Sequence, residues 1–243
     1  MVMDYNRYEL KYIIRWKEYQ DLLLRLSSLT RPDGYATGGK YKILSLYYDN
    51  KDLQFYWEKV DGYDNRLKVR LRYYGNPSDD EDVFVEIKEK DNQAILKRRG
   101  KIGLQDAYTL FSSEALEKQK RKKYGKQAVD VFDEVSYLHS LYRLQPQIMV
   151  SYVRQPLVGL YDPRLRVTFD TLLRYYDGRE SFQPGKKELF AIHPDFVILE
   201  IKVAETVPQW LLDIIGHYEL SQQRVSKYCL AIDQMYSKKN FLS

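Results

Sequence analysis

Lys68, Arg70 and Arg72 stand at every second position of LKVRLRYY, residues 67–74, with Val69, Leu71 and Tyr73 between them. Successive side chains of a β-strand point to opposite faces, so this spacing puts three cations on one face and three large apolar groups on the other. Such a row is suited to anionic oxygen: arginine forks match phosphate oxygens and lysines add point charges. A single strand of this kind is also what an ordinary sheet with one wet side looks like.

The pattern recurs along the chain. Arg7, Glu9 and Lys11 share a face, as do Glu86, Lys88 and Lys90. In the basic stretch ILKRRGK, Lys97, Arg99 and Lys101 share a parity that suits either a solvated hairpin tip or a ligand contact. Tyr152 lies with Arg154, Arg166 with Thr168 and Asp170, and Glu200 with Lys202. The candidate inward charges are Lys11, Lys68, Arg70, Arg72, Lys88, Arg154, Arg166 and Lys202 against Glu9, Glu86 and Glu200. Repeated over at least six strands, with helices to cover the apolar sides, this suggests a closed β-barrel with its polar side inward. Like charges about 4 Å apart repel by about 4 kcal/mol at an effective dielectric near 20, so such an interior asks for an anion. The glutamates would pair with some cations or hold a divalent metal that bridges phosphate. The implied ligand is a polyphosphate or nucleoside triphosphate with its metal.

The elements that must carry these residues read as an α+β chain of one domain, 1–243, with no linker. Tyr19, Leu22, Leu23, Leu26 and Leu29 recur at helical steps over 16–29, and Pro32, Asp33 and Gly34 end that helix. A strand at 43–49 precedes a short helix at 53–60. Gly75, Asn76 and Pro77 close the opening strand, and 78–82 is an acidic solvated loop. Asp91 and Asn92 read as a hairpin turn. Residues 104–144 are helical, with an exposed cationic face at 118–126 and a stripe of Val131, Val135, Leu138 and Leu141. Strands follow at 148–157, 165–171 and 196–203, with a loop at 178–185 containing Pro184. Pro208 opens a helix packed through Trp210, Leu211 and Ile214, with Gly216 near its end. Ser221 is read as the N-cap of a last helix reaching 236, which places Arg224 and Lys227 on one face.

The bulk properties exclude more than they assign. A net charge of +5 permits an anionic partner without requiring one. The 23 tyrosines favour half-wet strands. A lone cysteine, Cys229, allows no disulfide within the chain and is read as a buried thiol. The N-terminal stretch has no signal-peptide apolar region, and no run is long enough to span a membrane, so the expected location is cytoplasmic. His139, His193 and His217 are scattered, and no Ser–His, Cys–His or Walker-type G-x-x-x-x-G-K-[ST] arrangement occurs. Nucleic acid is disfavoured, because the basic residues share the inward parity instead of an outer face with aromatic platforms.

Nine stretches carry a resemblance: RYELKY at 7–12, SLYYD at 45–49, LKVRLRYYG at 67–75, VFVEIK at 83–88, SYVR at 151–154, LRVTFDT at 165–171, LEIK at 199–202, VPQW at 207–210 and RVSKY at 224–228. In this order they resemble the VTC domain, the polyphosphate polymerase domain of the vacuolar transporter chaperone complex, within the triphosphate tunnel metalloenzymes. The resemblance implies an antiparallel tunnel that binds triphosphate with manganese or magnesium, and leaves a membrane-protein partner open. It implies Lys11, Lys68, Arg70, Arg72, Lys88, Arg154 and Arg166 as phosphate ligands, Tyr152 as a tunnel-wall contact, and Arg224, Ser226 and Lys227 as a basic group on the last helix. Arg70, Arg72, Arg154, Arg166 and Lys227 would act in catalysis and Glu200 would bind the metal. Arg224 stands where the family often has lysine. Arg7 stands where the Glu-x-Glu-x-Lys signature of tunnel enzymes begins, which favours polymerase over hydrolase. The implied activity is extension of polyphosphate with the terminal phosphate of ATP. A metal-dependent triphosphate hydrolase and a non-catalytic polyphosphate sensor are the alternatives.

Overall fold

The alternating stretches pair into one antiparallel sheet in the computed structural model, which describes residues 8–34, 37–75, 82–92, 94–112, 121–177 and 188–240. Arg7, Asn76 and Pro77, most of the acidic loop at 78–82, part of the cationic segment at 118–126 and the loop at 178–185 lie outside them. In chain order the elements are β1 (Tyr8–Arg15), α1 (Trp16–Leu26), β2 (Thr30–Pro32), β3 (Tyr41–Asp49), α2 (Gln54–Val60), β4 (Arg66–Tyr74), β5 (Asp82–Asp91) and β6 (Ala94–Gly103). There follow α3 (Leu104–Thr109), α4 (Lys126–Tyr142), β7 (Gln145–Gly159), β8 (Arg166–Asp177), β9 (Leu189–Phe190), β10 (Phe196–Val203), α5 (Gln209–His217) and α6 (Lys227–Asn240). The hairpin expected at Asp91–Asn92 joins β5 to β6, and Asn92 adopts the left-handed φ of 52° that such a turn uses.

The strand order is β1-β10-β8-β7-β3-β4-β5-β6, with β2 on β7 and β9 on β8. The class is therefore α+β with an antiparallel sheet, as expected. Among the described residues no ladder joins β6 back to β1, so the sheet is not closed by hydrogen bonds. It is nonetheless strongly curled. Six strand spacings separate β1 from β5, about 29 Å if the sheet were flat. Yet Glu9 Oε2 on β1 lies 3.3 Å from Lys88 Nζ on β5. Register shifts at Tyr47/Tyr48 between β3 and β7 and at Ser151/Val153 between β7 and β8 mark irregularities of the kind that bend and twist strands.

Two apolar clusters cover the outside. Leu44, Leu46, Val69, Leu71, Val85 and Ile87 meet Leu104 and Ala107 of α3 and Val131, Phe132, Val135 and Leu138 of α4. Tyr12, Ile14, Phe169, Leu199 and Ile201 meet Tyr19, Leu22 and Leu26 of α1 and Leu211 of α5. A third cluster occupies the charged side of the sheet. Ile43, Tyr47, Ile148, Val150, Tyr152 and Ile198 share their face with Arg70, Arg72 and Glu200 by register, and pack with Tyr228, Cys229, Ala231 and Ile232 of α6. The expectation that helices lie only outside is thus corrected: the last helix sits within the curl and fills part of it.

Other boundaries differ: α1 ends at Leu26, and Pro32, expected to end that helix, lies in β2. Pro208 is the N-cap of α5, one residue before its first turn. The last helix begins at Lys227, not at Ser221, because the preceding segment is taken by tertiary contact: Gln223 N donates to Lys11 O at 2.8 Å. Arg224 is consequently not on a helix. Asp49, fully buried, anchors α6: its Oδ2 accepts from Tyr228 OH at 2.7 Å and from Tyr56 N at 3.0 Å, while Oδ1 accepts from Phe55 N at 3.0 Å.

Gly100 fixes how closely α4 approaches β6. A Cβ there would lie 2.7 Å from Phe132 Cε1 and 3.2 Å from Ala128 O. Gly100→Ala is expected to cost about 1–3 kcal/mol by overpacking; chemical denaturation with unchanged slope and a lower midpoint would show it, and an unchanged midpoint would refute the contact.

Candidate functional site

Among the described residues, the inward face brings ten of its cations together with four carboxylates: Lys11, Lys68, Arg70, Arg72, Lys88, Lys97, Arg99, Arg154, Lys202 and Lys227 with Glu9, Glu86, Asp170 and Glu200. Each carboxylate serves several cations, and the site is built as three linked clusters.

The first centres on Glu86 of β5, which is 1% exposed. Arg70, its register partner on β4, donates Nε and Nη2 to Oε2 at 2.9 and 2.6 Å and Nη1 to Tyr47 OH at 3.0 Å. Arg72 Nη1 lies 3.7 Å from the same oxygen, while its Nε and Nη2 donate to Ser45 Oγ and Tyr152 OH. Lys97 and Arg99 of β6 reach Oε1 at 3.0 and 3.4 Å. Burial pushes the Glu86 carboxyl up, but Arg70, then Arg72 and Lys97, outweigh it and hold the group well below the usual carboxylate range.

The second cluster joins β7, β8, β10 and α6. Arg154 grips Asp170 with a fork, Nε to Oδ1 and Nη2 to Oδ2 both at 2.7 Å, and Nη2 also reaches Glu200 Oε2 at 3.1 Å. Lys227 Nζ, in the first turn of α6, lies 2.6 Å from both Glu200 Oε1 and Asp170 Oδ2. The Tyr152 ring faces both cations, 5.0 Å from Lys227 Nζ and 5.5 Å from Arg154 Cζ. Burial opposes ionisation of Glu200, yet Lys227, Lys11 and Arg154 keep it charged far down in pH. Lys11, 3.7 Å from Glu200 and 3.6 Å from Glu9, links to the third cluster, in which Glu9 also meets Lys88 at 3.3 Å and Lys202 at 3.6 Å.

Lys68 differs from the others. Its Nζ donates to Ser226 Oγ at 2.8 Å, and among the described residues it makes no ion pair with a carboxylate. Burial, with repulsion from Lys11 and Lys88 added, brings its pKa down to about 7. It opens on a cleft of about 340 Å³ lined also by Lys59, Arg66, Lys88, Lys90 and Arg224.

The structure thus brings together Lys11, Lys68, Arg70, Arg72, Lys88, Tyr152, Arg154, Glu200, Ser226 and Lys227. Arg224 is exposed and stands at the rim of the cleft, off the helix expected to carry it. Arg166 shares the inward face by its register with Lys202, but its guanidinium is half-exposed and pairs with Asp33 at 3.3 Å, outside the three clusters. Lys97 and Arg99 meet the site through Glu86, whereas Lys101 pairs with Asp82 at 2.7 Å. Sequence reasoning did not assign Asp170, Tyr47 or Ser45 to the site, although the parities of LRVTFDT and SLYYD place all three inward. Glu86 is expected from the sequence as one of three inward glutamates pairing with cations, but not as the counterion of four of them.

No group of three histidine, cysteine, aspartate or glutamate side chains is positioned to cage a metal among the described residues. What is present is Glu200 beside Asp170, both shared with Arg154 and Lys227, on a face rich in cations. That fits an ion drawing its remaining ligands from phosphate oxygens and water, the mode magnesium commonly adopts.

The VTC domain family model matches residues 6–236. The vacuolar transporter chaperone complex subunit 4 of Trypanosoma brucei brucei is 23% identical over 82% of the chain, and that of Schizosaccharomyces pombe 25% over 80%. The aligned parts are 29% and 32% of those proteins, so the chain spans about a third of the length of the curated relatives it matches. Among solved structures, a candidate adenylyl cyclase from Hippeastrum whose dominant activity is triphosphatase aligns over 94% of this chain and 96% of its own, with a TM-score of 0.53 and 12% identity. A candidate adenylate cyclase from Bacillus halodurans aligns over 90% and 92%, with a TM-score of 0.51 and 13% identity. These two show a shared fold. No helix among the described residues is long and apolar enough to cross a membrane.

Two outcomes follow from the charge arrangement. Glu86→Ala leaves four cations without their shared counterion and is expected to cost about 3–5 kcal/mol; tripolyphosphate should then raise the melting temperature more in the variant than in the parent. Lys68 is largely neutral above pH 7 in the free protein, and a bound polyanion favours its charged form. Binding therefore takes up a proton, and affinity falls as pH rises above 7. Calorimetric titration of tripolyphosphate between pH 6.5 and 9 should show a shallower decline in Lys68→Met; identical profiles would remove Lys68 from the site.

Proposed function

The chain belongs to the VTC domain family, and from that premise and the inward charges we propose that it is a polyphosphate polymerase, using ATP to lengthen a phosphate chain. The observation that carries this reading is the excess of cations over carboxylates on one curled face, which a polyanion would balance. On this reading residues 1–243 form one tunnel domain, with the strands enclosing the substrate.

Phosphoryl transfer is catalysed mostly by positioning and by neutralising charge. Arg70 and Arg72 on one wall and Arg154 with Lys227 on the other would hold the donor and acceptor phosphates between them, with Lys11, Lys68 and Lys88 along the cleft. A terminal oxygen of the growing chain attacks the γ-phosphorus of ATP, the bond from that phosphorus to the bridging oxygen breaks, and ADP leaves. No protein nucleophile is required. Glu200 would hold manganese or magnesium, which would supply charge neutralisation when bound. Glu86 and Asp170 keep the arginine forks oriented while the lumen is empty of phosphate, so the donors are set before substrate arrives. Arg166, paired with Asp33 at the margin, would guide phosphate inward as it exchanges that partner. A cytoplasmic setting and an accompanying membrane protein that carries product away complete the proposal; the matched relatives are named as subunits of a transporter chaperone complex.

Incubation with ATP and manganese distinguishes the activities. Long chains on a gel support the polymerase; free phosphate without chains points to hydrolysis, and tight polyphosphate binding with no turnover to a sensor. Arg70→Ala and Glu200→Gln should each lower turnover about 100-fold or more, and only the arginine change should greatly weaken metal-free polyphosphate binding. Equal loss of binding in both would overturn the separate roles.

A further inference from the structure

The two ends of the inward face are chemically different. At the start of β4 and the end of β5 lies the cleft of Lys59, Arg66, Lys68, Lys88, Lys90 and Arg224, whose lining among the described residues holds no aromatic ring. At the other end of the same two strands stand Tyr74 and Phe84. The eight residue steps from Arg66 to Tyr74 put them about 26 Å away along the strand. Tyr74 and Phe84 meet edge to face, with ring centroids 5.7 Å apart, and Tyr41 of β3 lies 5.8 Å from Tyr74. All three rings are half-buried. The Arg99 guanidinium lies over Phe84 at 3.4 Å from the ring centroid and 5.4 Å from that of Tyr74.

Arg99 also reaches Glu86, the counterion of Arg70 and Arg72, at 3.4 Å. The aromatic group therefore abuts the phosphate-holding wall: Arg99 bridges the two, Phe84 is the register partner of Arg72, and Tyr41 that of Arg154. A flat cation stacked on a ring presents a second flat face, and bases stack on aromatic rings and on arginine planes alike. Inorganic phosphate has no use for such a surface; a nucleotide has. We propose that Tyr74, Phe84 and Arg99 form the seat of the nucleobase of a nucleoside triphosphate, and that the cationic cleft at the other end receives the phosphate chain. This rests on the phosphate-binding reading above and gives the lumen a direction: base at the end of β4, chain at its start.

Calorimetric binding of ATP and of inorganic tripolyphosphate to the full chain separates the two readings. Phe84→Leu removes the ring and should weaken ATP about tenfold while leaving tripolyphosphate within about twofold, and Phe84→Tyr should restore ATP. Tyr74→Leu gives the same split and decides the matter where Phe84→Leu does not fold. Equal weakening of both ligands, or no weakening of ATP, overturns the base seat. Wild-type protein that binds ATP and tripolyphosphate with the same affinity also overturns it, leaving the phosphate reading intact; protein that binds neither overturns the phosphate reading itself.

Discussion

Burying like charges together is the constraint to which this structure answers. Ten cations on one concave face would repel one another by several kcal/mol per close pair if left bare. Four carboxylates relieve that cost by being shared. Glu86 meets Arg70, Arg72, Lys97 and Arg99; Glu200 meets Lys11, Arg154 and Lys227; Glu9 meets Lys11, Lys88 and Lys202. Sharing is what keeps the count of carboxylates low. A lumen with one acid per base would be stable and inert toward anions; one with none would not fold. The observed ratio leaves the protein tolerable to itself and short of negative charge.

The inner face is divided between that charge and an apolar plug. Ile43, Val150 and Ile198 lie on the same sides of their strands as the catalytic candidates, and α6 covers them. The helix enters by its N-terminal end, which sets Lys227 between Glu200 and Asp170 and Ser226 against Lys68. Its position is held by the buried bond from Tyr228 to Asp49, which also satisfies backbone donors at the start of α2. Filling the curl and completing the site are thus one task, performed by one element. A shift of the helix would disturb both clusters at once.

Strand parity was the legible part of this molecule. A period of two is a property of the backbone, so LKVRLRYY, VFVEIKEK and FVILEIKV announced their faces without knowledge of their neighbours. Strands β3, β7 and β10 also carried Ile43, Ile148 and Ile198 at inward positions, a signal that something apolar had to lie inside. What parity does not encode is which strand lies beside which. That Glu86 gathers four cations depends on β5 lying between β4 and β6 in a particular register. The start of α6 was misread for a related reason: Ser221 has good local chemistry for a cap, but the bond from Gln223 N to Lys11 O commits the segment to β1. Arg166 had the right parity and found Asp33 instead.

The kinds of base are also not interchangeable along the face. The guanidiniums of Arg70, Arg72 and Arg154 sit where carboxylates fix them in forks, and burial there is outweighed so that each is held more firmly in its charged form. The cleft is lined by Arg66 and Arg224 and by ammonium groups, Lys59, Lys68 and Lys88, whose pKa values burial lowers. Arginine cannot relieve repulsion by losing a proton, whereas lysine can. Lys68, which pairs with no carboxylate among the described residues and whose pKa is brought down to about 7, can shed its charge and regain it when phosphate arrives. An arginine at position 68 would bear the repulsion of Lys11 and Lys88 at every pH, whereas Arg70, Arg72 and Arg154 have Glu86, Asp170 and Glu200 beside them.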